Sequence, residues 1–289
     1  MKTSLDCMEC NIKQLVKVSK FVNASEEKQK IASKKVFEML SNVDFNKTNP
    51  EIMGETWKIL ADVFGNDNPY KEIKSFYNNL LLDIYEDVKE IVNNSDDVFQ
   101  AALKVAVIGN IVDFGAKNSF TKEEVIKRIN NYEEMSFKKD DSIKLKQNIL
   151  KAKTILYIGD NCGEIVLDKI FIEVIKTLNK DVKIYFGVRG GSILNDVTIE
   201  DFNEVKMGEL ASCISSENAV PGTILKDSSK TFNDLFNSAD VIIAKGMGNF
   251  ESLSDNKRSN LYLLLMTKCE YVSKVIGVNL LDFVLIENG

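Results

Sequence analysis

The chain has 289 residues, of which 44% are hydrophobic and 28% are charged, with a formal net charge of −6. This size predicts one large or two modest domains with a buried core. An acidic chain without a basic block offers no electrostatic footprint for nucleic acid or an anionic membrane. The sequence contains no histidine, which excludes Ser-His-Asp and Cys-His catalysis and every zinc site that needs an imidazole. Any chemistry must come from carboxylates, amides, Lys, Arg, Cys or the backbone, or from a metal held mostly by oxygen.

Targeting signals and cysteine usage indicate where the protein works. No stretch approaches the roughly 20 apolar residues of a spanning helix, and the first residues lack the apolar run of a signal peptide. Five cysteines without a dense framework suit a reducing compartment. We therefore expect a soluble cytoplasmic protein.

The first half of the chain has the pattern of helices. Apolar residues recur at spacings of three and four over residues 1–150, and strand-like β-branched runs are absent. Ser25 and Thr121 are each followed by acidic residues, a signal for the start of a helix. Trp57 lies among apolar neighbours, which favours a core position. We predict a helical cap domain over residues 1–150.

The pattern changes near residue 150. Short apolar runs alternate with helical patterns such as 165–178, which is typical of βαβ units and a mainly parallel sheet. We therefore predict an α/β fold with a three-layer α/β/α domain over residues 151–289. The predicted strands are 154–159, 182–188, 239–245, 261–266 and 283–286.

Polar side chains lie in the loops after the first two of these strands. Asp160 and Asn161 come after the first strand, and Asp196 lies in the loop after the second. Ligands bind at the carboxyl ends of the strands in such sheets, and two carboxylates with an amide oxygen suit Mg²⁺ or another hard cation. The alternative is an Asp-Asn pair that only forms a turn and caps a helix.

Cations and glycines at the same edge suggest a phosphate group. Arg189 follows the second strand, and Lys245 ends the third predicted strand directly before Gly246. A Lys and an Arg could neutralise phosphate, and the glycine would let it approach the backbone. The alternative for Lys245 is a side chain that reaches solvent or pairs with Asp240 or Glu251. Neither a phosphate loop nor a dinucleotide fingerprint is present.

Several segments together resemble the damage-control phosphatase family, formerly domain of unknown function 89. The chain is similar to the branch of that family with an N-terminal Cys-x-x-Cys, here Cys7 and Cys10. The segments that carry the resemblance are 159–168, 188–198, 240–251, 109–115 and Lys268-Cys269.

The resemblance implies a helical N-terminal part, an α/β/α domain and metal-dependent hydrolysis of small phosphorylated metabolites. The metal ligands would be Asp160, Asn161 and Asp196, and the cofactor a divalent cation such as Mg²⁺, Mn²⁺, Co²⁺ or Ni²⁺. We assign Asp160 and Lys245 to catalysis. Substrate binding is assigned to Arg189, Gly246, Glu164, Asn110 and Asp113.

Two further pairs carry open alternatives. Asn110 and Asp113 share one face of a helical run, where they could close the cleft over the substrate or simply end the helix. Cys7 and Cys10 could be half of a zinc site, a redox pair or packing thiols, and packing is the default.

Two rival functions remain. A carboxyl methyltransferase is one, although an acid is expected for the donor's ribose where this chain has Arg189. A non-catalytic protein that binds a phosphorylated metabolite is the other. Hydrolysis of a generic phosphomonoester with and without divalent cations separates all three.

Overall fold

The computed structural model describes residues 1–109 and 122–289. Its first part is helical, as predicted. Within these two ranges, no helix combines the length and the apolar character needed to cross a bilayer. The helices are α1 (Asp6–Phe21), α2 (Glu26–Ser41), α3 (Asn49–Phe64), α4 (Lys71–Leu82), α5 (Tyr85–Asn93), α6 (Val98–Ile108) and α7 (Lys122–Asn130).

Polar caps define where several of these helices begin. The Ser25 hydroxyl accepts a hydrogen bond from the backbone N–H of Lys28 at 3.4 Å, which confirms the predicted start of α2. Thr48 and Glu51 form a reciprocal capping box at the start of α3. The start predicted at Thr121 lies outside the described residues.

The second part alternates strands and helices, which confirms the predicted α/β class. The predicted strands at 154–159, 182–188, 239–245, 261–266 and 283–286 are all present, with bounds that agree within two residues. The elements are β1 (Phe137–Asp140), α8 (Ser142–Ile149), β2 (Thr154–Ile158), α9 (Glu164–Leu178), β3 (Lys183–Val188), α10 (Ile199–Glu204), β4 (Ser212–Ser215), α11 (Lys230–Ser238), β5 (Val241–Lys245), α12 (Gly246–Leu253), β6 (Leu261–Met266), α13 (Glu270–Ile276) and β7 (Phe283–Glu287).

The described strands form one sheet in the order β1-β7-β6-β5-β2-β3-β4. Its strand pairs in the described residues are parallel except for β6 with β7. The chain runs from β2 outward through β3 to β4 and then returns to β5 on the other side of β2. The strand order therefore reverses between β2 and β5, and such a reversal opens a crevice at the carboxyl ends of the two strands.

Successive residues of the central strands point to opposite faces of the sheet, and both faces are covered. Tyr157 of β2 packs on Phe171 of α9, with ring centroids 6.4 Å apart. Leu156 and Ile158 belong to the core on the opposite face, which includes Phe232 of α11. The sheet is thus the middle of three layers, and β2 and β5 are buried along their length apart from Thr154.

The expectation that strands are absent before residue 150 is wrong. β1 has the sequence Phe-Lys-Lys-Asp and pairs with β7 at the edge of the sheet. Its lysines face solvent, so it lacks the apolar run that identifies a buried strand. The sequence does not predict β4 (Ser212–Ser215) either, because Ser-Cys-Ile-Ser also lacks an apolar run. The boundary predicted at residue 150 stays a prediction, although helices before it share a core with the sheet.

Trp57 lies in the core of the N-terminal helices, which confirms its predicted place. It is buried together with Leu15, Val36 and Leu60. Its ring stacks on that of Tyr70, with centroids 5.9 Å apart. This second cluster is where α1, α2 and α3 bury their apolar faces.

Candidate active site

The loops that follow β2 and β3 are hydrogen-bonded to each other at the crevice. The backbone N–H of Val197 donates to the carbonyl of Asp160 at 2.9 Å. Asn161 and Asp196 form an isolated antiparallel bridge. The structure therefore brings together Asp160, Asn161 and Asp196, the three side chains predicted to bind a metal, and all three are buried.

These acidic groups lie close enough to disturb one another's ionisation. Burial raises the pKa of Asp160 well above its usual value, and the charges of Glu164 and Asp196 raise it further. Burial also raises the pKa of Asp196, while the neighbouring Arg189 opposes that rise. Burial therefore disfavours the ionised forms of Asp160 and Asp196.

The amide of Asn161 links two of the carboxylates. Its Nδ2 donates to Oδ2 of Asp160 at 2.7 Å and to Oε2 of Glu164 at 3.2 Å. A cation would therefore meet this side chain through its carbonyl oxygen Oδ1. Glu164 is fully buried, so its predicted contact with substrate stays a prediction.

Arg189 is buried beside the two aspartates. Its Nε donates to Oδ2 of Asp196 at 2.7 Å. Its Nη2 lies 4.0 Å from Oδ1 of Asp160 and has no hydrogen-bond acceptor among the described residues. A buried guanidinium N–H without an acceptor is costly, and a phosphate oxygen is the kind of acceptor it prefers.

The first turn of α12 approaches the carboxylate of Asp160. Gly246 begins this helix with a φ of +79°, a conformation that favours glycine. A Cβ at this position would lie 1.9 Å from Oδ2 of Asp160. Only a glycine therefore allows the positive end of α12 and the carboxylate to meet.

Lys245 is fully buried and its ammonium group is surrounded by acceptors. Nζ donates to Oε1 of Glu164, to Oδ1 of Asp168 at 2.6 Å and to the carbonyl of Ala106 at 2.9 Å. The alternative in which Lys245 reaches solvent or pairs with Asp240 or Glu251 is wrong. Because β5 is buried on both faces, the side chain extends under α6 and α9 instead.

Asp168 completes this buried cluster from the next turn of α9. Its Oδ1 also accepts from the hydroxyl of Tyr157 at 2.6 Å, while Oδ2 has no partner among the described residues. Burial raises the pKa of Asp168 to about 7, although Lys245 favours its ionised form. Asp168 lies in the segment 159–168 that carries the family resemblance, but the sequence predicts no role for it, because nothing in the pattern shows which way its side chain points.

The sequence predicts no role for two lysines near the crevice, although one of them, Lys268, lies in a segment that carries the family resemblance. The positive charge of Lys268, which follows β6, lowers the pKa of Asp160. Lys74 of α4 forms a buried ion pair with Asp201 at 2.6 Å. Lys268 could have been found from its place after a strand, whereas Lys74 lacks any such signal in a lysine-rich chain.

Two predicted substrate-binding residues, Asn110 and Asp113, lie outside the described residues. The described part of α6 ends against the site, because a Cβ at Gly109 would lie 2.6 Å from Cγ of Glu164. The predicted roles of both residues stay predictions.

The N-terminal cysteines show no bond to each other. Cys7 is buried, as expected of a packing thiol, whereas Cys10 is exposed, contrary to that default. Burial raises the pKa of the Cys7 thiol. Neither cysteine lies in a described group of three Cys, Asp or Glu side chains that could hold a metal.

The chemistry of the crevice fits a hard divalent cation. Carboxylate and amide oxygens from Asp160, Asn161 and Asp196 are ligands that Mg²⁺ and Mn²⁺ favour. Mutual repulsion between buried acids would fall when a cation lies between them. In residues 1–109 and 122–289 no three acids or thiols converge into a metal site by themselves, and the predicted set takes its third oxygen from an amide.

The fold and these contacts define an α/β protein with a carboxylate-rich crevice where its strand order reverses. The model of the damage-control phosphatase ARMT1-like domain matches residues 3–284, so the chain belongs to this family. The predicted family and a phosphatase function of the damage-control type are thereby confirmed at that level. Assignment to the branch with the N-terminal Cys-x-x-Cys stays a prediction.

Individual relatives cover nearly the whole chain. An uncharacterized protein of Methanocaldococcus jannaschii is 35% identical over 99% of this chain and 96% of its own. A damage-control phosphatase of Pyrococcus horikoshii is 31% identical over 96% of this chain and 95% of its own. The crystal structure of a DUF89 family protein from Pyrococcus horikoshii superposes with a TM-score of 0.90 at 30% identity and covers 100% of both chains.

Proposed function

We propose that the chain hydrolyses phosphate monoesters of small metabolites with the help of a divalent cation. Asp160, Asn161 and Asp196 would hold the cation, which can be Mg²⁺, Mn²⁺, Co²⁺ or Ni²⁺. The substrate's phosphate would lie against Arg189 and the first turn of α12 at Gly246.

The observation that carries this proposal is Nη2 of Arg189, a donor that lacks a hydrogen-bond acceptor among the described residues. It is buried between two carboxylates, at 4.0 Å from Asp160, and has no acceptor among the described residues. The Nε of this guanidinium binds Asp196, and its Nη2 remains able to donate a hydrogen bond to an anion. The neighbouring carboxylates supply the ligands for a cation that would accompany that anion.

Each residue then has a defined task in the reaction. When bound, the cation would polarise the phosphoryl group and acidify a water molecule. Arg189 would stabilise charge on the phosphoryl oxygens. Gly246 leaves space for Asp160 against the positive end of α12, which favours the ionised carboxylate. The amide of Asn161 orients Asp160 through the bond at 2.7 Å.

Lys245 would serve the same site through its charge. Its ammonium group neutralises Glu164 and Asp168, and Glu164 in turn accepts from Asn161. We infer that its positive charge would also favour the transfer of a phosphoryl group. Asn110 and Asp113 would complete the substrate site.

Hydrolysis of p-nitrophenyl phosphate by the metal-free protein, with each of the four cations added in turn, tests the proposal. We expect turnover only with a cation. Asp160→Asn keeps the shape of the side chain but removes one charge from the cation site, so it should abolish turnover and leave the fold intact. It should also abolish the rise in melting temperature that Mn²⁺ produces in the unchanged protein.

Asp234→Asn is the matched control, because Asp234 is an exposed carboxylate of α11. It should change neither turnover nor the response to Mn²⁺. Full activity in a folded Asp160→Asn variant contradicts the metal assignment. Binding of phosphorylated ligands without turnover under any of the cations supports the non-catalytic alternative instead.

A further inference from the structure

Asn78 on α4 is a fully buried amide that uses both of its ends. Its Oδ1 accepts from the backbone N–H of Gly163 at 2.6 Å. Its Nδ2 donates to Oδ1 of Asp201 at 3.0 Å and to Oε2 of Glu204 at 2.7 Å. The side chain therefore joins two separate segments that both pack against α4.

The two segments are those that carry the predicted metal ligands. Gly163 ends the loop that contains Asp160 and Asn161, and it precedes α9 with a φ of +68°. Asp201 lies in the first turn of α10, where its carboxylate accepts from the backbone N–H and the hydroxyl of Thr198, both at 2.8 Å. Thr198 is only two residues from Asp196. Asn78 thus spans from one ligand loop to the other.

A second side chain of α4 supports the same arrangement. Lys74 lies one helical turn before Asn78, is buried, and forms an ion pair with Oδ2 of Asp201 at 2.6 Å. Asp201 is therefore held between its own capping interaction and two residues of α4. This removes its freedom to rotate, and with it the freedom of the short segment that leads back to Asp196.

Neither an acid nor an apolar residue of similar size could make all of these bonds. Asp would present a third carboxylate to Asp201 and Glu204, and Leu would leave the buried N–H of Gly163 without an acceptor. A residue needed only to fill space between α4 and α9 would not require a donor and an acceptor. The two-ended bonding indicates a role in fixing the relative position of the loops.

We propose that Asn78 is a positioning residue for the cation site, which sets the separation between the Asp160–Asn161 pair and Asp196. The inference rests on the proposed function, because it assumes that these residues bind the cation. Partners that orient metal ligands without touching the metal typically change affinity by 10–100-fold when removed.

The test measures Mn²⁺ binding to the metal-free protein by electron paramagnetic resonance, without any substrate. Asn78→Ala should weaken Mn²⁺ binding by at least about 10-fold. Asn79→Ala is the matched control, because Asn79 is exposed and bonds Glu204 and Ser75 but neither Gly163 nor Asp201, and so does not join the two segments. It should leave Mn²⁺ binding within about twofold of the unchanged protein.

The outcomes separate this inference from the proposed function. If Asp160→Asn also leaves Mn²⁺ binding unchanged, the cation site itself is wrong. If Asp160→Asn loses binding while folded Asn78→Ala retains it within about twofold, Asn78 is a packing residue and the inference is overturned. Should the alanine variant fail to fold, Asn78→Ser is judged by the same criterion, since its hydroxyl can satisfy one partner but cannot span both loops.

Discussion

Replacing Lys245 by Met tests what its buried charge contributes to stability and what it contributes to catalysis. Methionine keeps most of the length of the side chain and removes the ammonium group. Nζ contacts Glu164 and Asp168 with no exposure to solvent. Breaking a buried ion pair by removing one partner costs about 3–5 kcal/mol, because the remaining charge is left uncompensated. We expect a loss of this size in the free energy of unfolding at pH 8.

The loss should depend on pH in a defined direction. The pKa of Asp168 is already about 7 in the presence of Lys245, and it rises further without the ammonium group. A carboxyl whose pKa is raised in the folded state binds its proton more tightly there than in the unfolded chain. The free energy of unfolding therefore falls as the pH rises from the pKa of the unfolded state to the pKa of the folded state. The variant should therefore lose less at pH 6, where Asp168 is neutral, than at pH 8.

Denaturant unfolding and steady-state kinetics on the same preparations test both effects. Lys245→Met should lower kcat/KM at least about 100-fold. Adding Glu164→Gln to it removes one stranded carboxylate and should recover part of the stability but none of the turnover. Lys169→Met is the control: Lys169 is a buried lysine of α9 that bonds Val205 and the exposed Glu209. It should leave kcat/KM unchanged.

Two results would refute the reasoning. A change of less than about 1 kcal/mol in the free energy of unfolding of Lys245→Met, the value of a surface pair, means that the ammonium group does not neutralise the carboxylates. Retention of more than about a tenth of kcat/KM, a loss below ~1.4 kcal/mol, means that the charge does not act on the phosphoryl group.

Three further predictions follow from the same contacts. Gly246→Ala should abolish turnover in a folded protein, because its Cβ would lie 1.9 Å from Oδ2 of Asp160; normal kcat/KM would show that the two groups need not meet. Burial raises the pKa of Glu251 to about 7, so its ionisation opposes folding as pH rises from about 4.5 to 7. Glu251→Gln should thus stabilise the protein at pH 8 by up to about 3 kcal/mol and have little effect at pH 5, as measured by denaturant unfolding. Since the chain has no histidine, the pH–rate profile should shift when Co²⁺ replaces Mg²⁺, and identical profiles would argue against a metal-bound water as the titrating group.

The sequence predicts the central strands well because burial on both faces leaves a clear signal. β2 and β5 are nearly continuous apolar runs that end at polar residues, and their order with β3 places Asp160 and Asp196 at one edge. The sequence does not predict β1, because an exposed edge strand with two lysines has neither an apolar run nor an alternation of apolar and polar residues. Its pairing depends on β7, which lies more than 140 residues further along the chain.

The direction of a side chain at the end of a strand is harder to predict than its place. The sequence leaves open whether Lys245 faces the crevice or reaches solvent, and in the structure its ammonium group lies beneath α6 and binds the carbonyl of Ala106. That outcome depends on how α6 and α9 pack on the sheet, which no local pattern contains. The sequence predicts no role for Asn78 for a similar reason. The sequence pattern around an amide on a helix does not show whether its side chain faces water or a ligand loop.

The charges buried around the crevice support a divalent cation more directly than any single ligand does. Among the described residues, five buried carboxylates of this region outnumber by two the buried cations that form ion pairs with them. The carboxylates are Asp160, Glu164, Asp168, Asp196 and Asp201, and the cations are Lys74, Arg189 and Lys245. If every carboxylate is ionised, the excess equals the charge of one divalent ion, and desolvation makes such an excess costly without it. The same three cations hold Asp201, Asp196, Glu164 and Asp168 by direct ion pairs. Asp160 is the predicted ligand whose pKa burial raises well above its usual value, so a metal ion would stabilise its ionised form, and its substitution decides the proposal.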